Sequence, residues 1–322
     1  MTTPPNFNDL QVVCLAGGVG GAKLAHGLAQ ILPPENLTIV VNTGDDFVHC
    51  GLTICPDLDT VLYTLAGKAN PQTGWGRADE SWQAMSAVRE LGGPDWFNLG
   101  DLDLGLHLTR AHLLAEGHSL THVTRHLCQQ WGVAPTLLPM SDKPAPTHIA
   151  TAVQTYPFQE WFVREQWQPA VQKVQLPDSA RATAQVMQAI ESADVVIFAP
   201  SNPFVSLDPI LNAYPLRHMI ADLPQVVVAV SPIIQGEALK GPAAKLMREL
   251  GHEPSAAGVA AYFNELLDGF VYDLQDADSP TAVSLTNLDL PLLCVDTIMT
   301  TPTDRARLGR EVMAFAHSLI EE

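Results

Sequence analysis

Five short stretches of the chain are apolar at nearly every position rather than at every second one: Val12–Ala16, Leu37–Val41, 195–199, Val226–Val230 and Leu292–Val295. A strand wetted on one face alternates, whereas a strand buried on both faces does not. These runs therefore predict a parallel sheet covered by helices. Helical patterns lie between them, over 22–32, 181–192 and 243–250. The order strand, loop, helix, strand predicts βαβ units and a doubly wound, mostly parallel, Rossmann-like α/β fold. The stretch from 58 to 131 reads differently, as helices over 58–66, 80–91, 106–115 and 120–130. Residues 147–175, with Trp161 and Trp167, read as irregular or antiparallel strand, and a last helix is expected over 304–320. The expected organisation is a single domain over 1–322, with its core in 10–56 and 180–322 and a helical and irregular insert over about 57–179.

Charge narrows the class of partner. The 322 residues carry 35 acidic and 17 basic side chains, a formal net charge of −18. Nucleic-acid binders need the opposite balance to neutralise phosphates. A nucleotide-sized ligand remains compatible, because backbone amides and a metal carry phosphate charge locally. The five cysteines, Cys14, Cys50, Cys55, Cys128 and Cys294, are odd in number and lack C-x-x-C spacing, as expected of reduced thiols in a cytoplasmic protein. The first ten residues, MTTPPNFNDL, do not read as a signal peptide, and no apolar run approaches a membrane span.

The candidate chemistry sits at predicted strand ends, where open α/β sheets bind ligands. After the first strand comes Gly17-Gly18-Val19-Gly20-Gly21-Ala22-Lys23. Glycines let the backbone approach a phosphate, and the following helix offers free N–H groups and its positive end. The run is neither a complete G-x-G-x-x-G nor a phosphate-loop G-K-[ST] motif, which disfavours a nicotinamide-dinucleotide dehydrogenase. Asn42-Thr43-Gly44-Asp45-Asp46 follows the second strand, and Pro56-Asp57-Leu58-Asp59 opens a helix. Asp57 is a plausible cap of that helix, but capping does not explain several acids near one glycine loop. A hard cation such as Mg2+ relieves their repulsion and takes one or two carboxylates plus phosphates and water. Pro200-Ser201-Asn202-Pro203, Ser231-Pro232 and Lys240-Gly241-Pro242-Ala243-Ala244-Lys245 place small polar groups at later strand ends. Trp96-Phe97-Asn98-Leu99-Gly100-Asp101, with Arg110 beyond it, suits a flat heterocycle.

In this order, LAGGVGGAK, VNTGDD, CPDLDTVLYTL, GWGRADESW, DWFNLGDLDL, LLPMSDKP, APSNPFVS, SPII and KGPAAKLM resemble the 2-phospho-L-lactate transferase family, called CofD in archaea and FbiA in actinobacteria. The resemblance spans about residues 12–300. It implies a Mg2+-dependent homodimer acting in coenzyme F-420 biosynthesis. Its members move a phospho-three-carbon-acid group from a guanosine diphosphate ester to the deazaflavin Fo and release GMP. Carried over by motif, Gly17, Gly18, Gly20, Gly21 and Lys23 would meet the donor phosphates. Asp45, Asp57 and Asp59 would hold the metal, with Asp45 and Asp59 as catalytic carboxylates. Ser201, Asn202 and the stretch from Gly241 to Lys245 would line the guanosine side, Asn98, Asp101 and Asp59 the Fo side, and Ser231 would also bind substrate. The bacterial flavour of the motifs favours a phosphoenolpyruvyl over a 2-phospho-L-lactyl donor. One departure is Leu102, where relatives commonly carry arginine, with Arg77 and Arg110 as candidate substitutes. A related family of sugar-nucleotide-binding regulators of gluconeogenic growth shares a similar glycine loop and is the alternative.

Overall fold

The computed structural model describes residues 7–321. Residues 1–6, most of the segment read as lacking signal-peptide character, lie outside the described residues. A seven-stranded sheet forms the centre, built from β1 (Val12–Ala16), β2 (Leu37–Val41), β3 (Thr136–Pro139), β4 (Val195–Phe198), β5 (Val226–Val230), β6 (Gly269–Asp273) and β7 (Leu292–Val295). Their spatial order is β7-β6-β5-β4-β1-β2-β3, and every pair is parallel. This is the doubly wound order, in which the winding reverses between β1 and β4.

Four of the five unbroken apolar runs have the cause expected of them, whereas Leu292–Val295, the edge strand β7, is half-buried throughout. β1, β4 and β6 are buried at every position. Their side chains alternate between two cores, one on each face: Val13, Leu15, Val196 and Phe198 go to one, and Val12, Cys14, Val195 and Ile197 to the other. On the second face lie α1 (Gly18–Ala29) and the last helix, Pro302–Glu321. They approach closely at Gly27, where an added Cβ would strike the Arg305 carbonyl oxygen.

Two strands were not anticipated. The four-residue Thr136–Pro139 ends on proline, and Gly269–Asp273 starts on glycine, so neither run stands out as strand in isolation. β3 draws the sheet into the stretch expected to lie beside it. The rest of that stretch comprises a hairpin (Phe47–His49 with Leu52–Ile54), then α2 (Pro56–Leu65), α3 (Gln83–Glu90), α4 (Asp101–Ala115) and α5 (Leu120–Trp131). Beyond β3, residues 147–175 form a three-stranded antiparallel sheet around the fully buried Trp161. Among the described residues no helix is long and apolar enough to cross a membrane. All five cysteines are free.

Candidate functional site

The glycine run is mostly helix rather than loop: α1 starts at Gly18, four residues before the expected boundary, with Gly17 as its N-cap. Its glycines answer first to packing. A Cβ on Gly20 would strike the Pro200 carbonyl oxygen. One on Gly21 would lie 2.6 Å from Ser201 Oγ, and one on Gly17 2.5 Å from Asp57 Oδ2. Gly18 differs: it has φ +62° and only Asp57 at the edge of contact, 4.0 Å away. Ser201, just beyond β4, accepts from the Gly17 N–H at 3.1 Å and donates to the Gly17 carbonyl at 2.8 Å. These two bonds tie β1 to β4 across the reversal point, where ligands of such sheets bind.

Against this loop stands a buried carboxylate pair. Asp57 lies in the first turn of α2, but its cap is spent on another helix: Oδ1 accepts the Gly18 N–H of α1 at 2.7 Å. Its Oδ2 accepts from Asn42 Nδ2 at 2.9 Å. The same amide reaches Asp45 Oδ1 at 3.4 Å, and Gln159 Nε2 donates to Asp45 Oδ2 at 3.1 Å. Every side-chain donor to the pair is thus neutral. Burial, opposed by the Asn42 and Gly18 hydrogen bonds, pushes the Asp57 carboxyl up to about 6. Burial first, then the charges of Asp57 and Asp46, raise Asp45 well above the ordinary carboxylate range. Asp46 is also raised, chiefly by burial.

Among the described residues no group of three or more His, Cys, Asp or Glu is gathered to hold a metal by itself. The pair nevertheless suits Mg2+, which binds through one or two carboxylates and completes its shell with substrate oxygens and water. The hard oxygens Thr43 Oγ1, Asp46 Oδ1 and Thr147 Oγ1 on and against the same turn are buried without hydrogen-bond partners.

Asp59, one turn edge along α2, is bound differently. It accepts from both Nη1 (3.0 Å) and Nη2 of Arg110, a fully buried side chain of α4. His107 lies on the same helix, with Nδ1 3.2 Å from Arg110 Nη1 and Nε2 3.3 Å from Asp103, whose other oxygen accepts from the Tyr63 hydroxyl. Both oxygens of Asp59 are therefore engaged by a guanidinium, which separates it from the carboxylate pair as a metal-ligand candidate.

The remaining candidates divide. Asp101 accepts from Ser81 Oγ and from the amides of Gln83 and Ala84, capping α3, while Glu80 accepts the Leu102 and Asp103 amides and caps α4. This reciprocal cap accounts for both acids structurally. Asn98 is exposed and accepts from Arg89, and Trp96 and Phe97 pack with Phe47 and His49. Ser231 closes a local turn with Ile233, and Lys245 pairs with Glu249 one helical turn away. Asn202 caps the turn that follows it, accepting from the amides of Phe204 and Val205, while its Nδ2 stays buried and unpartnered. Gly241, at φ +77°, is exposed, and Lys23 donates to the Met299 carbonyl at 2.7 Å. Opposite Leu102, Arg77 lies over the rings of Tyr63 and Trp131, and Arg110 is committed to Asp59. Asn42 and Gln159 went unassigned in the sequence. Asn42 was legible as the buried amide ending β2, whereas Gln159 lies 114 residues from its partner and had no local signal.

Comparison with known proteins fits this geometry. The family model described as 2-phospho-L-lactate transferase CofD matches residues 12–288. The chain is 39% identical over 323 residues to a phosphoenolpyruvate transferase of Kitasatospora aureofaciens, covering 96% of this chain and 99% of that one. It is 38% identical over 305 residues to a 2-phospho-L-lactate transferase of Methanospirillum hungatei, covering 94% and 99%. A solved structure of a UPF0052 family member from Bacillus halodurans superposes with a TM-score of 0.63 at 14% identity, over 94% of this chain and 98% of that one, a likeness of fold. The match over most of the chain's length and the strand-end site together place this protein in the CofD family of phospho-acid transferases.

Proposed function

We propose that the protein transfers a phosphoenolpyruvyl or 2-phospho-L-lactyl group from its guanosine diphosphate ester to the deazaflavin Fo, releasing GMP, in coenzyme F-420 assembly. The observation that carries this reading is the buried Asp45–Asp57 pair, bonded only by neutral groups, beside Gly18 at the β1/β4 reversal. Family membership supplies the reaction class, a transfer of a substituted phosphate group.

Asp57 and Asp45 would hold Mg2+, which when bound neutralises the diphosphate and draws charge from its oxygens. Gly18 N–H and Asn42 fix the Asp57 carboxylate, so its direction is set before the donor arrives. The first-turn amides of α1 face the donor phosphates. The Fo hydroxyl oxygen forms a bond to the phosphorus bearing the acid. The anhydride bond to the GMP phosphate breaks, and GMP carries off that bond's electron pair. Asp45, beside the reacting hydroxyl, takes up its proton as the new bond completes. Phosphoenolpyruvate is the preferred acid, and the enzyme is expected to work as a cytoplasmic homodimer.

The test is mass spectrometry of Fo after incubation with Mg2+ and each donor, made in situ by a guanylyltransferase. A mass gain identifies the acid by its size, and Asp57→Asn should remove it. Absence of any gain from folded, nucleotide-binding protein overturns the reading.

A further inference from the structure

The stretch 203–209, which follows β4, forms a wall behind the carboxylate pair. Pro203–Leu207 is a single wide turn opened by the Asn202 side chain. The Val205 carbonyl accepts from Asn42 Nδ2 at 3.1 Å, the same amide that holds Asp57 and reaches Asp45. Ser206 stands against the glycine turn, its Cβ 2.6 Å from where a Cβ on Gly17 would lie. Pro209 stands against the aspartate turn, its Cβ 2.9 Å from where a Cβ on Gly44 would lie. Gly44 is the residue before Asp45, so one wall touches both turns of the site.

This wall is held from outside. Pro209 belongs to the helix Asp208–Asn212, whose five residues are too few to persist without tertiary contacts. The Asp208 carboxylate supplies them. One oxygen accepts from Arg217 Nη2 at 2.9 Å, and the other accepts from the Tyr262 hydroxyl. Arg217 lies on the helix Leu216–Asp222 and Tyr262 on the helix Ala256–Phe263, so two further helices grip the residue next to Pro209. At the other end of the wall the Phe204 ring meets Tyr262 edge-on at 5.0 Å. His252 packs on both rings, 5.4 Å from Phe204 and 5.0 Å from Tyr262. Burial raises the Asp208 carboxyl, and the Tyr262 hydroxyl and Arg217 oppose that rise. Arg217 is half-exposed, so its ion pair adds little to stability. What the two donors supply is direction. A misplacement of the reacting groups by about 1 Å can cost 100-fold in rate, so a wall that touches both turns governs the chemistry without meeting the substrate.

We propose that Asp208, gripped by Tyr262 and Arg217, is a positioning residue for the carboxylate pair. It fixes the wall, and through Pro209 and Val205 the wall fixes the turn that carries Asn42 and Asp45. The assignment rests on the transfer reading above for the reaction whose rate it sets, and on these contacts for the geometry.

The experiment uses full-length wild type, Tyr262→Phe, Asp208→Asn and the double variant. Tyr262→Phe keeps the ring that packs on Phe204 and His252 and removes only the hydroxyl. Three quantities are measured on each: Mg2+ affinity by calorimetry, kcat and KM for transfer to Fo, and Tm. Each single variant should weaken Mg2+ binding and lower kcat roughly 10-fold, with KM for Fo within about 2-fold of wild type. The double variant should be no worse than the poorer single one, because both changes break one hydrogen bond. Unchanged Mg2+ affinity and kcat in folded Tyr262→Phe overturn the proposal whatever happens to Tm, as do fully additive losses in the double variant. Should Asp208→Asn fail to fold, Tyr262→Phe decides alone. If wild type moves no acid to Fo, the transfer reading fails, and the Mg2+ affinities of the same variants still decide whether Asp208 positions the pair.

Discussion

Asp57 and Asp59 are two residues apart on the first turn of α2, both buried, and their surroundings are opposite. Asp59 faces the insert and receives a guanidinium on both oxygens. Asp57 faces the sheet and receives a backbone N–H and a carboxamide. One carboxylate has its countercharge built into the fold, and the other is left needing one. The difference separates an acid with a structural partner from a candidate functional acid more cleanly than burial or sequence spacing does. It also explains why two aspartates in one PDLDT segment need not share a role.

The largest break in this comparison is removal of the built-in countercharge. Arg110→Met leaves Asp59 buried with only His107 Nδ1, 3.8 Å away, beside it, and should cost about 3–5 kcal/mol of stability in urea unfolding. Adding Asp59→Leu should restore most of the loss, and failure to do so would remove the ion pair as its cause. A smaller effect belongs to Asp57. A rise from 3.8 to about 6 corresponds to about 3 kcal/mol. With the folded value above the unfolded one, this stability is full below about pH 4 and lost as pH rises through about 6. In metal-free buffer, Tm of Asp57→Asn relative to wild type should therefore climb by roughly 5 °C between about pH 4.5 and 7.5. Mg2+ with GDP should narrow that gap by stabilising the wild type alone. A pH-independent gap would contradict the environment described for Asp57.

Asp45→Asn sharpens the functional half of the comparison. It keeps the side-chain shape, and should lower kcat roughly 100-fold with KM for Fo little changed. Equal changes in kcat for Asp45→Asn and for the surface variant Asn98→Ala would dissolve the distinction. The smallest effect is expected at Gly18→Ala, where the positive φ costs about 1 kcal/mol and the new methyl reaches only Asp57 Oδ1, at the edge of contact. Gly20→Ala, which collides with the Pro200 carbonyl, should unfold at visibly lower denaturant than Gly18→Ala.

Sequence by itself determined the sheet's class, because double-sided burial removes alternation and leaves runs such as VVCLA and LTIVV that no exposed strand tolerates. It also pointed to one sheet edge as the candidate site, because glycine, aspartate and asparagine at strand ends have few other reasons to recur there. It did not reveal β3 or β6, whose strand character comes from parallel neighbours supplied over long separations. Nor did it divide the acids. Asp101 reads like a ligand until its carboxylate is seen capping α3, and Asp59 resembles Asp57 until Arg110 arrives from 51 residues away. Gln159 completes the Asp45 site from a segment with no motif at all. Local pattern reports which face of the backbone is buried. Countercharge and cap partners are settled by contacts between segments far apart in the chain, and only the tertiary fold makes those.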